Sequence, residues 1–346
     1  MTLKAPGTPI RALIVDDTPT NGGPLTLVLQ READIAVIGR TSTSPAAVEL
    51  VALESPDVVI LNIQTGDGSG QRFIEQVMAR TPTPILVLSN KIKDRSSRYA
   101  VEALVAGALD ALPAPDRWTA ELETDLRHSV RQISKVQTIL HPRGGRAKTP
   151  RSQPLPGGGQ SVVAVAASTG GPKALGTLLS GLEGLSAPVL IVQHLHPDFT
   201  SGLIDSLGRT SALPVEVARH GETAGPGHVY VAPGGRHLRL GANLRLELTT
   251  SPVTIHRPSA NELFQSVAEH AGSAGIGVLM TGMGDDGARG LLELHRRGGR
   301  TFGQDESSCT IFGMPHAAQC LGAVTILLPP DQLATAIRRA VSGVRA

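Results

Sequence analysis

Short aliphatic runs alternate with amphipathic stretches through most of the chain. In the first third, runs that suit strands cover residues 10–15, 35–39, 57–63, 84–88 and 109–112. Helical spacing of apolar residues follows each run, over residues 25–30, 45–54, 71–79, 97–106 and 118–140. Continuous aliphatic runs are typical of parallel strands that are covered on both faces. Residues 9–125 are therefore predicted to form one doubly wound α/β domain.

This alternation stops at residues 141–160, which are rich in Pro, Gly and Arg and have no apolar period. Together with a helical extension before them, they predict a linker over residues 126–159. From Arg127 to Arg151 the chain carries Lys and Arg but no Asp or Glu. We interpret this basic run as a solvated linker, and the alternative is a surface that meets an acidic partner.

Strands and helices alternate again after the linker. Strands are predicted at residues 161–167, 188–193, 276–281 and 324–328, with short strands and turns over 215–248. Helices are predicted at residues 172–182, 261–271, 287–297 and 331–342. The pattern predicts a second and larger doubly wound α/β domain over residues 160–344.

Composition narrows the possible functions. Aromatic residues make up only 2% of the chain, which disfavours a base-stacking platform for nucleic acid. The net charge of +2 favours no class of partner. Cys309 and Cys320 form neither a CxxC motif nor a plausible disulfide framework, which fits a reducing compartment. Because a signal-peptide layout and a long apolar run are both missing from the sequence, we expect a cytoplasmic protein without membrane insertion.

Three reactive side chains follow predicted strands of the second domain. The first, Ser168, precedes Pro172, a residue that suits the first turn of a helix. A hydroxyl on such a tight turn lies near helix N–H groups that can stabilise an oxyanion. Taken alone, the segment is more often a Ser-Thr cap of the following helix.

The second reactive side chain is His194, which ends the strand predicted at residues 188–193. It can take the proton of Ser168 if the two strands are neighbours. Taken alone, a histidine at this position is more often a surface residue. With His196 it also resembles a metal-binding HxH pair, because alternate strand residues share a face. No cluster of further ligands follows, so a metal site is disfavoured.

The third element is TGMGDDG at residues 281–287. It matches the GxGxxG dinucleotide fingerprint, and Asp305 lies roughly twenty residues farther on. Two carboxylates in the loop would repel a pyrophosphate, so we favour a tight turn in which one aspartate orients His194. The order Ser–His–Asp, without a GxSxG elbow, indicates a fold other than that of the α/β-hydrolases.

The three segments resemble motifs of a known family. Residues 167–171, ASTGG, look like the nucleophile motif of the chemotaxis protein-glutamate methylesterases (the CheB family), with Ala167 in place of Gly. Gln193-His194 and the TGMGDDGA segment are similar to two further motifs of that family. Agreement extends to residues 220–240, 256–268 and 304–318. The resemblance covers nearly the whole chain, since this family also carries an N-terminal receiver domain.

The resemblance implies hydrolysis of γ-glutamyl methyl esters on chemoreceptors, often with deamidation of receptor glutamines. By motif position it implies Ser168 as nucleophile, His194 as general base and Asp286 as the orienting carboxylate. Backbone N–H groups near Thr169 and Met283 would hold the oxyanion. No metal or organic cofactor is expected for the hydrolysis. The expected partners are methylated chemoreceptor-type proteins and signalling proteins that contact the receiver domain.

The implied receiver domain, a flavodoxin-like (βα)5 fold, departs from the family pattern. Asp16 and Asp17 match the acidic pair that binds Mg²⁺ in receivers, and Ser89 stands at the switch hydroxyl position. Asn62 replaces the phosphoacceptor aspartate, and Ala114 replaces the lysine after the fifth strand. An amide is a poor nucleophile toward phosphorus and adds no charge to hold Mg²⁺.

We therefore expect a pseudo-receiver that has lost aspartyl phosphorylation, with Asp67, deeper in the same loop, as the alternative acceptor. Such a domain acts as a permanent brake, a docking module or a cover loosened by other signals, and the sequence does not choose among these. Two further hypotheses stay open. One is an adaptor that binds receptors without turnover, and the other is a hydrolase with the same machinery and a different ester or amide substrate.

Overall fold

The computed structural model describes residues 8–16, 22–42, 45–62, 68–92, 97–134, 160–254 and 256–343. The chain divides into two compact units, Met1–Leu140 and His141–Ala346. The predicted boundaries 9–125, 126–159 and 160–344 stay a prediction, since residues 135–159 lie outside the described residues. Every helix within the described ranges is too short or too polar to cross a bilayer.

The first unit is a parallel sheet with helices between its strands. Its described strands are β1 (Ile10–Asp16), β2 (Ile35–Thr41), β3 (Val58–Asn62), β4 (Ile85–Ser89) and β5 (Asp110–Pro113). Its described helices are α1 (Gly22–Leu29), α2 (Pro45–Glu54), α3 (Ser69–Arg80), α4 (Arg98–Ala106) and α5 (Ala120–Ile133). The strand order β2-β1-β3-β4-β5 is that of the flavodoxin-like fold, which confirms the predicted fold class.

The aliphatic runs of this unit become strands because both of their faces are covered. Every residue of β3 and of β4 is buried. Helix α5 begins after Thr119, whose hydroxyl accepts a hydrogen bond from the Leu122 N–H (3.3 Å), so it starts slightly later than predicted. The predicted continuation to residue 140 lies outside the described residues.

The second unit is larger. Its described strands are β6 (Val162–Ala167), β7 (Val189–Gln193), β8 (Val215–Val217), β9 (Val229–Val231), β10 (His237–Leu240), β11 (Leu246–Thr249), β12 (Gly275–Leu279), β13 (Arg300–Gln304) and β14 (Ile326–Leu328). Its described helices are α6 (Gly171–Ser180), α7 (Thr200–Thr210), α8 (Ala260–His270), α9 (Ala288–Arg296), α10 (Met314–Cys320) and α11 (Pro330–Val341). Helices α7 and α10 and strand β13 have no counterpart among the predicted elements.

A parallel sheet of order β14-β13-β12-β6-β7-β9-β8 forms the centre of this unit, and β10 and β11 pair as a separate antiparallel hairpin. One apolar cluster joins the sheet to α6, α7 and α11, and a second joins its other face to α8, α9 and α10. Helices on both faces make this the predicted doubly wound α/β domain, and the predicted fold class is confirmed here as well.

Strand β6 lies at the point where the chain reverses its direction of travel across the sheet. The chain passes from β6 to β7 on one side, whereas β12, β13 and β14 lie on the other side. Ligands of open parallel sheets bind beyond the carboxyl ends of the strands at such a switch point. The residues after β12, β6 and β7 are therefore the place to look for a site.

Candidate active site

Ser168 is the first residue after the central strand β6. Its N–H donates to the Thr281 carbonyl (2.9 Å), and its own carbonyl accepts from the Gly171 N–H (2.8 Å). The N-cap residue of α6 is Gly170, at φ 78°, and no side chain makes the cap hydrogen bond. The alternative that Ser168 and Thr169 cap this helix is therefore wrong.

His194 stands directly after β7, the neighbour of β6, and its N–H donates to the Ala167 carbonyl (2.9 Å). Its side chain is only 7% exposed, and Nε2 lies 2.8 Å from Oδ2 of Asp286. A carboxylate only accepts, so Nε2 carries the proton of that hydrogen bond in the neutral ring. Nδ1 is then the unprotonated nitrogen, and it is buried with no hydrogen-bond partner among the described residues.

Asp286 is held on its other side by the first residues of α8. Its carboxylate accepts hydrogen bonds from the Ser259 hydroxyl (2.9 Å), the Ala260 N–H (2.7 Å) and the Asn261 N–H (3.1 Å). Burial acts to raise its pKa, but the hydrogen bond and charge of His194 and these backbone donors outweigh burial and lower the pKa to about 2. Asp286 is therefore an anion held by α8, with its Oδ2 against Nε2 of His194.

His256 is a residue that the sequence did not single out. Its ring stacks on the His194 ring with centroids 4.3 Å apart and planes 12° from parallel. Burial lowers the pKa of His256, and the neighbouring His194 lowers it further. A neutral ring therefore covers one face of the His194 imidazole. His256 lies in the HRPSANELF segment that resembles the family, but that resemblance did not predict a stacked pair of histidine rings.

The glycine-rich loop after β12 makes close contacts with the Ser168 turn. A Cβ on Gly282 would lie 2.6 Å from the Ser168 Cβ and 2.3 Å from the Met314 Sδ, so only glycine fits there. The buried Thr281 hydroxyl donates to the Thr169 carbonyl (2.9 Å). Met283, at the outer edge of the loop, is 50% exposed.

The two alternative interpretations of these motifs find no support in the geometry. His196 is exposed and faces Asp198 (3.2 Å), whereas His194 faces Asp286, so the HxH residues do not converge. Over the described ranges, no group of three or more metal-ligating side chains occurs. The Asp305 carboxylate accepts hydrogen bonds from the hydroxyls of Ser307 and Ser308. It makes no contact with the glycine-rich loop among the hydrogen bonds of the described residues.

The carboxyl ends of β1, β3 and β4 bring together several of the residues that the sequence predicted for the receiver site. Asp16 and Asn62 pair across these strands, with Asn62 Nδ2 donating to Asp16 Oδ1 (3.2 Å). The Arg40 guanidinium, which the sequence did not point to, lies 3.0 Å from Asp16 Oδ2. Ser89 is buried, and its hydroxyl accepts from the Lys91 N–H (3.2 Å). Among the described residues here, the Arg40 guanidinium offsets the charge of the Asp16 carboxylate and Asn62 adds no charge, so the attraction for Mg²⁺ is weakened.

Asp17 and Asp67 lie outside the described residues, so the predicted acidic pair and the alternative acceptor are not placed. Ala114 follows β5, and its N–H donates to the Ser89 carbonyl (2.9 Å). Ala114, next to the Ser89 backbone, thus carries a methyl group at the position where the receiver pattern has lysine.

A family model described as CheB methylesterase matches residues 163–337, slightly more than half of the chain. The chain belongs to this family. A second model, the response regulator receiver domain, matches residues 12–118. Family membership confirms the predicted enzyme class of carboxylic-ester hydrolase.

Named relatives match almost end to end. A Bradyrhizobium diazoefficiens protein named protein-glutamate methylesterase/protein-glutamine glutaminase of group 3 operon is 38% identical over 92% of this chain and 93% of its own length. An Anaeromyxobacter dehalogenans relative, named protein-glutamate methylesterase/protein-glutamine glutaminase 2, is 39% identical over 98% and 99%. The crystal structure of the Thermotoga maritima CheB methylesterase catalytic domain is 34% identical, covers 55% of this chain and 100% of that chain, and has a TM-score of 0.50.

Proposed function

We propose that this protein hydrolyses γ-glutamyl methyl esters on methylated chemoreceptor-type proteins, with Ser168 as the nucleophile. One observation carries the proposal: Nε2 of His194 faces Asp286, its Nδ1 is buried with no hydrogen-bond partner among the described residues, and its strand β7 pairs with β6, the strand that precedes Ser168. These contacts support assigning the roles of nucleophile to Ser168, base to His194 and orienting carboxylate to Asp286, as in serine hydrolases. The names of the relatives supply the substrate class.

The reaction proceeds in two displacements. Ser168 Oγ attacks the ester carbonyl carbon and passes its proton to Nδ1 of His194. The tetrahedral intermediate then expels methanol, which takes that proton, and leaves an acyl ester on Ser168. A water molecule attacks this ester and gives a proton to His194, which passes it to Ser168 Oγ as the acyl–oxygen bond breaks; the released glutamic acid then loses its proton to solvent. Asp286 holds the ring throughout and stabilises the imidazolium.

The oxyanion of each intermediate needs hydrogen-bond donors. The N–H groups of Thr169 and Met283 lie on the two loops that meet at Ser168, and neither donates to another described group. We assign the oxyanion hole to these two N–H groups. Such donors are effective because folding has already fixed their direction.

The same groups can act on a glutamine side chain, with ammonia in place of methanol as the leaving group. The nitrogen of an amide leaves less readily than the methoxy oxygen of an ester. Its departure therefore depends more on protonation by the His194 imidazolium. The names of the relatives include this glutaminase activity, and we propose it as a second reaction of the same site.

Regulation is proposed to be independent of aspartyl phosphorylation. Asn62 offers no carboxylate for phosphoryl transfer, and Ala114 offers no ammonium to hold the phosphoryl group. Arg40 adds a positive charge at the Asp16 carboxylate, where a receiver needs Mg²⁺. Incubation with acetyl phosphate and Mg²⁺ is expected to leave the protein unlabelled and its rate unchanged. A label on Asp67 would overturn this assignment.

The function is tested by methanol release from membranes that contain methylated receptors. Ser168→Ala and His194→Ala are each expected to abolish release by the full-length protein. His196→Ala is the matched control, because that exposed histidine lies only two residues from His194 and faces Asp198 instead. Equal release by wild type and Ser168→Ala would refute the assignment.

The same assay separates the competing hypotheses. Receptor binding with no methanol or ammonia release would identify a non-catalytic adaptor. Turnover of small esters but not of methylated receptors would identify a hydrolase with another substrate. The cytoplasmic location and the cofactor-free chemistry stay predictions, as do the signalling partners of the receiver domain.

A further inference from the structure

Gln193 is the last residue of β7 and lies directly before His194. It is buried, with only 5% of its surface exposed. Its side-chain Nε2 donates to the carbonyl of Ser168 (2.8 Å) and to the carbonyl of His194 (3.0 Å). One amide group therefore joins the backbone of the nucleophile to the backbone of the base. Neither the proposed mechanism nor the family resemblance gives this side chain a role.

The Ser168 carbonyl belongs to the same planar peptide group as the Thr169 N–H. In a trans peptide the C=O and N–H bonds point in opposite directions, so a group that fixes one also fixes the other. A hydrogen bond to the carbonyl oxygen also polarises the peptide and strengthens its N–H as a donor. The Gln193 amide thus binds the carbonyl oxygen of the peptide group whose N–H, that of Thr169, is a proposed oxyanion donor.

We infer that Gln193 is a positioning residue for the oxyanion hole: it aims and polarises the Thr169 N–H through the Ser168–Thr169 peptide. This inference rests on the proposed function, because it requires that an oxyanion forms at Ser168. It adds a residue whose contribution appears only as negative charge develops on the substrate carbonyl.

The other end of the Gln193 amide supports a functional role. Its Oε1 is buried and has no hydrogen-bond partner among the described residues. Rotating the amide by 180° would place Oε1 against two carbonyl oxygens, which repel it, so the observed orientation is the only one that donates. An unpaired buried oxygen is costly, and folded proteins retain such groups where they have a specific use.

Gly171 makes room for this arrangement. A Cβ on Gly171 would lie 2.0 Å from Gln193 Oε1 and 2.8 Å from the Ala167 Cβ, so any side chain there would push the amide away. The Gly171 N–H also donates to the Ser168 carbonyl (2.8 Å). Because that second hydrogen bond survives the loss of Gln193, we expect a partial effect and not a complete loss of activity.

The test is Gln193→Met in the full-length protein, which keeps the length of the side chain and removes its donors. We expect kcat for methanol release to fall about tenfold, the usual effect of one neutral hydrogen bond, with KM unchanged. The pH midpoint of kcat/KM is expected to stay where it is, because His194 and Asp286 keep their contact. Affinity for a small boronic acid, which forms a tetrahedral anion on Ser168, is expected to fall by the same factor as kcat.

Ser266→Ala is the matched control. Ser266 is fully buried in the same unit and also makes two hydrogen bonds to backbone groups, from its hydroxyl to the Leu263 carbonyl and from the Leu240 N–H. It is expected to lower Tm as much as Gln193→Met does while leaving kcat unchanged. Gln193→Glu, which keeps the side-chain shape, is the second variant in case the methionine variant does not fold, and its carboxylate is expected to lower kcat at least as far.

Wild-type kcat in a folded Gln193 variant would overturn the inference. So would a loss of kcat with unchanged boronic acid affinity, or with a shifted pH midpoint, since either result places the effect on the base and not on the oxyanion hole. These results are distinct from failure of the proposed function itself, in which Ser168→Ala would still release methanol and bind the boronic acid normally.

Discussion

Replacing Asp286 by Asn tests the electrostatic core of the proposed site. Both carboxylate oxygens accept backbone N–H groups of α8, from Ala260 on one side and Asn261 on the other. Either orientation of an asparagine amide therefore sets its NH₂ group against a backbone N–H. If that NH₂ faces His194, it donates to Nε2, and the ring must then carry its proton on Nδ1, the nitrogen that the mechanism needs as base.

The magnitude of the stability effect follows from the pKa of Asp286, which folding lowers from 3.8 to about 2. At 1.36 kcal/mol per unit, the ionised carboxylate contributes about 2 kcal/mol to the free energy of unfolding at neutral pH. Because the folded pKa is the lower one, this contribution is complete above the unfolded value near 4 and is lost as the pH falls toward 2. At pH 3 about half of it remains.

Urea unfolding of wild type and Asp286→Asn, followed from pH 7 to pH 2, measures this contribution directly. We expect wild type to be more stable by about 2 kcal/mol at pH 7, and we expect the gap to close between pH 4 and pH 2 because only wild type titrates at this position. With the asparagine NH₂ facing His194, the rate of methanol release is expected to fall on the order of 10³- to 10⁴-fold, because the base then has the wrong tautomer. A gap that stays constant with pH, or a variant with wild-type rate, would refute this reasoning.

Three further outcomes follow from the same structure. His256→Ala is expected to lower kcat by about threefold to tenfold because the imidazole loses the ring that packs on one of its faces, and His256→Phe is expected to restore most of that loss; identical rates in both variants would contradict this. Gly282→Ala is expected to lower kcat at least on the order of 100-fold, because its methyl group would displace Ser168, whereas Gly208→Ala, with open space around it, is expected to leave the rate unchanged. Asn62→Asp is expected to lower the Tm of the first unit by placing a second carboxylate about 3 Å from the first, and added Mg²⁺ is expected to restore it; a melting curve insensitive to both changes would argue against repulsion between these two carboxylates.

Much of the fold was predictable because local pattern carries it. Buried parallel strands need aliphatic residues on both faces, so the segments that became β1, β3, β4, β6 and β7 were recognisable as continuous runs. Strand β13 was missed because Arg300 and Gln304 bracket only a short apolar stretch. Helix α7, in Thr200–Thr210, was missed because its two glycines weaken the helical pattern, and tertiary packing overrides that local preference.

The chemistry of the side chains was also present in the sequence. A serine, a histidine and an aspartate each follow a strand, and Asn62 stands where a receiver needs a carboxylate. Neither statement depends on how the chain folds beyond its local elements. The family resemblance rested on these same local segments, and the family was confirmed.

Only the tertiary structure decided which groups meet. The order β12-β6-β7 brings three distant strand ends to one edge of the sheet, and no local pattern specifies that order. The contacts of Asp286 with the start of α8, the stacking of His256, the Gln193 amide on the Ser168 carbonyl and the Arg40 pair with Asp16 all join residues far apart in the chain or depend on side-chain direction. The physical reason is that side-chain periodicity reports which face of an element is buried, whereas strand order and the meeting of loops depend on packing between elements remote in sequence. The sequence by itself therefore determined the reactive groups and the strands that carry them, and the packed sheet determined that Ser168, His194 and Asp286 stand at neighbouring strand ends.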